Sequence, residues 1–156
     1  MKTSLADVRA FADGLSIEKV RLEDVPAIVR IDAEVTGTEK ADFWYGCYAR
    51  ESTDMKSTFL VAHRNGEVAG YVIGAIRAWE FGSSPCGWVE VISVAPEQRN
   101  GHVATRLFEA VVDYFRDNDI TTIRTMLNID NHMLIAFFRM QGMSAGPYIE
   151  LEMRAD

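Results

Sequence analysis

The chain of 156 residues is 48% apolar, 25% charged and 10% aromatic, ordinary figures for one globular domain that buries a core without staples. Its 16 Lys and Arg against 23 Asp and Glu leave a net charge of −7, which argues against nucleic acid as the main partner, because phosphate backbones demand a basic face. No apolar run approaches the ~18 residues of a membrane span, and the opening stretch lacks the apolar segment of a secretory signal.

Cys47 and Cys86 lie far apart and form no metal or redox spacing, so free thiols are expected. These features read as a soluble, cytoplasmic protein with no metal, organised as a single domain over residues 1–156. In chain order, Ser4-Leu5-Ala6-Asp7 has the form of a capping box, predicting a helical extension over residues 1–14 that ends near Gly14. Residues 17–21 alternate as a strand. A helix follows with Val25, Ile28, Val29 and Ile31 on its apolar face, and a second helix at 40–50 carries Phe43, Trp44, Tyr45 and Tyr48.

The middle of the chain is β-rich. Residues 58–63 form a strand, Arg64-Asn65-Gly66 supplies a tight hairpin turn, and residues 68–79 return as the partner. A third strand at 87–94 is stopped by Pro96. Val103, Leu107, Ala110, Val111 and Tyr114 then recur at helical spacing within residues 98–115. A strand at 120–128, a helix at 131–141 stopped by Gly142, and a last strand at 148–153 complete the pattern. Hairpins combined with helical crossovers define an α/β fold, a single-domain mixed β-sheet flanked by helices.

The segment Val94-Ala95-Pro96-Glu97-Gln98-Arg99-Asn100-Gly101-His102-Val103-Ala104 delivers a strand into a helix N-terminus. Such a junction presents unpaired backbone N–H groups at the positive end of a helix dipole, a natural seat for a pyrophosphate, and Arg99 adds a charge-assisted contact. A plain solvated β–α loop has the same outline. No GxxxxGK[ST] motif and no GxGxxG fingerprint is present.

Val94-x-Pro96-x-x-Arg99-x-x-His102-x-Ala104 with its amphipathic helix resembles motif A of the GCN5-related N-acetyltransferases. Asn131-x-x-Leu134-x-Ala136-x-Phe138-x-x-x-Gly142-Met143 is similar to motif B of the same family. The resemblance covers nearly the whole chain and implies an acetyl-CoA co-substrate lying between two splayed parallel strands that end near Val94 and Asn128. It implies that Ile92 and Val94 pair with the pantetheine arm and that the amides of Asn100, Gly101, His102, Val103, Ala104 and Thr105 hold the pyrophosphate. Asn131 would reach the pantetheine or an ordered water, although Asn is also a strong helix N-cap. Family members are frequently dimers, and a homodimer is compatible with the reading.

Two departures stand out. His102 occupies the place of the motif's first glycine, and Gly101 compensates if the loop is shifted in register. Phe138 stands where many members keep a tyrosine that protonates the departing thiolate, which leaves Tyr148, a water or no group as the acid. Glu90 is the candidate general base, a role that a Glu at the corresponding place fills in some members. Strict alternation puts it on the face of Ile92 and Val94, opposite Val89, Val91 and Ser93, on a strand covered on both sides whose burial favours a basic carboxylate. Asn128 would orient the acceptor or a water. The expected function is direct acetyl transfer to a primary amine of a small molecule or a peptide. The alternative is a non-catalytic acyl-CoA-binding module of the same fold.

Overall fold

In the computed structural model, which describes residues 9–156, Asn65 and Gly66 take φ of 53° and 84°. This mirror-image turn matches the twist of two paired strands. It joins β3 (Ser57–Arg64) to β4 (Glu67–Arg77), the centre of a six-stranded sheet. β1 (Arg9–Ala10) and β2 (Leu15–Lys19) lie on one side of that hairpin, and β5 (Cys86–Val94) and β6 (Ile123–Thr125) on the other. Each neighbour is antiparallel except the parallel pair β5–β6, so the sheet is mixed as expected. The chain divides into two compact units, one ending at Met126 and the other Leu127–Asp156.

In the first unit the two faces of the sheet are filled differently. α1 (Val25–Thr36) and α2 (Ala41–Glu51) place Ile28, Ile31, Trp44 and Cys47 in one cluster with Phe59, Val61, Tyr71 and Ile73. The Trp44 indole donates to Asp32 Oδ2 at 2.9 Å and Lys40 Nζ meets the same oxygen at 2.9 Å, so the buried carboxylate ties the two helices together. On the opposite face α3 (Val103–Asp117) buries Val103, Leu107, Val111 and Phe115 completely. Each such aliphatic side chain contributes roughly 1.5–3 kcal/mol when fully buried. The sheet accommodates α3 by presenting glycines to it: a Cβ on Gly70 would lie 3.2 Å from Leu107 and Val103, and one on Gly87 would lie 2.7 Å from the Phe115 ring.

Several elements differ from the sequence expectation. The Ser4–Asp7 capping box lies outside the described residues, and Arg9–Ala10, expected to be helical, is a strand paired with Ile17 and Ser16. Ladder formation with β2, and an ion pair from Arg9 to Asp113 at 2.7 Å, override the local helical preference. α3 starts at Val103 because Pro96–Gln98 forms a short 3-10 turn and His102 breaks the helical path. β6 is confined to three residues.

The second unit holds α4 (His132–Met140), capped by the Asn131 side chain, which accepts from Leu134 N at 3.1 Å. Gly142 at φ 92° ends the helix, and the Met143 amide returns to the Phe138 carbonyl at 3.0 Å. No strand forms at 148–153. Ile149, Leu151 and Met153 alternate as a strand would, yet they are 85%, 86% and 85% exposed. A strand exists through its ladder, and these residues have no strand partner among the described residues.

Candidate functional site

β5 and β6 run together only over Gly87–Ile123, Trp88–Arg124 and Val89–Thr125. The Thr125 hydroxyl donates to the Val89 carbonyl at 2.8 Å, and there the pairing stops. From Val91 to Val94 the strand keeps β4 on one edge, and among the described residues no strand pairs with the other.

A β-bulge sits at this fork. Ile73 pairs with Val91 and Gly74 with Val89, leaving Glu90 without a partner on β4. An extra residue reverses the alternation of everything beyond it. Before the bulge the Gly87 amide donates toward β6, to Thr122 O at 2.9 Å; after it the Ala95 amide donates toward β4, to Ala69 O at 2.9 Å. Consecutive residues of a strand direct their backbone groups to opposite edges. Ile92 and Val94 therefore turn their N–H and C=O groups to the open edge, whereas an unbroken strand would present Val91 and Ser93.

Beyond Val94 the chain enters the loop leading to α3. Arg99, Asn100 and His102 are exposed, and Gly101 is partly buried. The first main-chain bond at the start of α3 runs from the Arg106 amide to the His102 carbonyl at 3.1 Å. Among the described residues this leaves the leading amides of the helix, from Val103 to Thr105, without main-chain partners at the positive end of the dipole. His102 itself is left-handed, φ 59° and ψ 15°, while Gly101 is not among the positive-φ residues. The loop has kept its register, and the histidine adopts the conformation that a glycine would take freely, at a strain of roughly 1–2 kcal/mol.

Glu90 is not in the covered setting expected of it. Its Oε1 accepts from Arg77 Nη2 at 2.6 Å, and the Arg77 guanidinium lies 5.2 Å above the Trp88 ring. Its side chain is 29% exposed, while the residue as a whole is open to solvent. The excess exposure is in its backbone, laid bare where β6 departs. The bulge has also removed the expected face: Glu90 shares the side of Arg77 and Trp88 and does not align with Ile92 and Val94.

The helix-covered face beside it is mixed in character. Trp44 is core at 3% exposure, stacked edge-on against Tyr71 at 5.0 Å, while Phe43 and Tyr45 are 57% and 43% exposed. Burial holds the Tyr71 phenol protonated well above the ordinary tyrosine range, with Ser93 pulling the other way. Burial likewise pushes the Cys47 thiol up, against the opposing pull of Arg50, which fits no nucleophilic role. Cys86 is also buried and free.

In the second unit, Asn128 Oδ1 accepts from the Asp130 amide at 2.8 Å, a local turn that occupies the group expected to orient an acceptor. Asn131 is engaged as the α4 cap. Phe138 is buried and stacks edge-on with Phe137 at 5.3 Å, and Tyr148 is 46% exposed in a segment without regular structure. Sequence reasoning missed Arg64, assigned only to a turn. Its Nη1 donates to Gln98 Oε1 at 3.1 Å and its Nη2 to the Gly101 carbonyl at 2.9 Å. It missed Arg77 and Thr125 as well, since long-range pairing gives them their places. Among the described residues no helix is long and apolar enough to cross a membrane, and no cluster of three or more His, Cys, Asp or Glu suits a metal.

The acetyltransferase (GNAT) family model matches residues 25–143, and the chain belongs to that family. It is 29% identical over 120 residues to an L-2,4-diaminobutyric acid acetyltransferase of Nocardia farcinica, a match spanning 76% of this chain and 58% of that relative. Two solved structures share the fold at 15% identity, each over 91% of this chain and 99% of its own. One is an aminoglycoside acetyltransferase, AAC(6')-Iy, bound to a bisubstrate analogue of CoA and acetylneamine, with a TM-score of 0.79. The other is glucosamine-6-phosphate N-acetyltransferase from Arabidopsis thaliana, with a TM-score of 0.71.

Proposed function

We propose that this chain is an acetyl-CoA-dependent N-acetyltransferase that moves the acetyl group directly to a primary amine of a small molecule or a peptide. The observation that carries the reading is the bulge-set open edge of Ile92 and Val94, continuous with the unpaired amides at the start of α3. In this reading the edge pairs with the pantetheine amides as a further strand would. The amides of Asn100 and of His102 to Thr105, with the Arg99 guanidinium, hold the pyrophosphate, while the Gly101 amide is engaged with the Gln98 carbonyl at 3.2 Å. A backbone N–H near Val94 polarises the thioester carbonyl and stabilises the oxyanion that forms.

An acceptor ammonium of pKa about 10 must lose a proton before its nitrogen attacks the thioester carbon. Glu90, at the fork, is the group we assign to that proton, directly or through water, after exchanging its bond to Arg77. Nitrogen–carbon bond formation expels the CoA thiolate, whose pKa near 8.5 lets it leave with little acid assistance. Tyr148 is a candidate donor; Phe138 has no proton to give. The diaminobutyric acid acetyltransferase relative and the neighbour solved with a CoA–acetylneamine bisubstrate analogue support a small amine acceptor, in keeping with the acidic balance of this chain. No acyl-enzyme is invoked, because both thiols are buried.

The test is CoA release across a panel of diamino acids, amino sugars, polyamines and peptides, for wild type and Glu90→Gln. A fall in kcat of about a hundredfold in the variant, with KM for acetyl-CoA unchanged, is expected of a general base. Full activity would remove Glu90 from the role. The occupied Glu90 and the absent hydroxyl at Phe138 favour a second reading, an acyl-CoA-binding module without turnover. Thermal stabilisation by acetyl-CoA with no CoA release from any amine would establish it.

A further inference from the structure

Arg64 ends β3 and points into the back of the loop between β5 and α3. Its side chain is 19% exposed and its Nε is buried with no partner, so the guanidinium is held there by its two terminal nitrogens. Nη1 reaches Gln98 Oε1 at 3.1 Å; Nη2 reaches the Gly101 carbonyl at 2.9 Å and Asp13 Oδ2 at 3.3 Å. Asp13 is more than half exposed and contributes little. Gly101 lies flat against this group: a Cβ there would collide with Arg64 Nη1. Since Gly101 has no positive φ, close approach, and not backbone conformation, is what requires glycine at this position.

We infer that Arg64 is a positioning residue for the phosphate-facing loop and that Gly101 is the notch into which its guanidinium docks. The inference rests on the proposed acetyl-CoA site. Arg64 grips the loop at Gln98 and Gly101, either side of Arg99 and Asn100. It occupies the Gly101 carbonyl and holds His102 at the left-handed turn that starts α3. The amides from His102 to Thr105 are thereby directed outward before any ligand arrives, which lowers the ordering cost of binding. Arg64 acts from behind through two acceptors, so its fork geometry matters and its charge alone does not suffice.

Four variants test this: Arg64→Ala, Arg64→Lys, Gly101→Ala and the Arg64→Ala/Gly101→Ala double, each titrated with acetyl-CoA by calorimetry. Arg64→Ala should weaken binding about tenfold, with kcat at saturating acetyl-CoA within about twofold of wild type. Gly101→Ala should weaken binding to the same degree, because the new methyl displaces the same guanidinium. The double variant should be no weaker than either single one. Arg64→Lys should fail to restore binding. Hydrogen exchange without ligand should show the amides at 98–105 opening faster in all four, while those of β3 and β4 stay protected.

Additive losses in the double variant, or wild-type binding by Arg64→Ala, would overturn the inference. Full binding by Arg64→Lys would show that charge, not positioning, is the contribution. Were wild type itself to bind no acetyl-CoA, the proposed site would fall. The exchange measurements would then still decide whether Arg64 and Gly101 hold the loop together.

Discussion

The two halves of β5 share one strand and one neighbour yet serve opposite ends. Cys86–Val89 has β4 on one side and β6 on the other, with Gly87 pressed against Phe115. Val91–Val94 has only β4 among the described residues, and its other edge is open for hydrogen bonding. Their valines do not separate the halves, since Val89, Val91 and Val94 are equally apolar. The difference is made by one bulged residue and one hydroxyl: Glu90 shifts the phase and Thr125 closes the Val89 carbonyl. A binding edge here is an interruption of the sheet, built where the ladder is stopped.

Ile92→Pro should have the largest effect on this contrast. It removes an N–H that faces the open edge and breaks no bond to β4. Acetyl-CoA binding by calorimetry should fall by about a hundredfold while circular dichroism reports a folded sheet, whereas deleting Glu90, which closes a regular ladder with Ile92 and Val94 still facing outward, should leave binding in place. Gly87→Ala acts on the paired half, where the new methyl meets the Phe115 ring at 2.7 Å. Overpacking should lower stability by about 1–3 kcal/mol in urea, with the remaining fold still able to bind acetyl-CoA.

His102→Gly should move in the other direction. Relief of the left-handed strain should raise stability by about 1 kcal/mol and leave acetyl-CoA affinity intact. A loss of affinity would show that the imidazole itself touches the ligand.

The smallest effect lies beneath the paired half, where Tyr114 stacks on Phe115 at 5.6 Å. Burial, with the charges of Asp54 and Glu51 adding to it, pushes the Tyr114 phenol up to about 12. The native state therefore holds this proton more tightly than the unfolded chain does. The contribution is complete below about pH 10 and is lost as pH rises toward 12. Tyr114→Phe should flatten that part of the stability profile, measured by urea unfolding between pH 8 and 12.

The sequence was legible where periodicity and local chemistry act alone. The α3 stripe of Val103, Leu107, Ala110 and Val111, the Asn65-Gly66 hairpin and the apolar face of α1 follow from spacing and turn preference. So did the strand-to-helix loop. The bulge at Glu90 did not, because alternation assumes an unbroken ladder and only the pairing of Ile73 and Gly74 with Val91 and Val89 shows where it breaks. The environment of Glu90 was misread for the same reason. Arg64 looked like a turn residue since its partners, Gln98 and Gly101, are distant in the chain. The alternation of Ile149, Leu151 and Met153 marked a strand that has no ladder among the described residues, and of the helix expected before Gly14 the described part, Arg9–Ala10, is β1.

The most direct measurement follows the backbone amides of β5 by NMR as acetyl-CoA is added. Large shifts and slowed exchange are expected at Ile92, Val94 and the amides of Asn100 and of His102 to Thr105, with Val91 and Ser93 nearly unmoved. Protection of Val91 and Ser93, or no change at the start of α3, would contradict the assignment of this edge to the pantetheine arm.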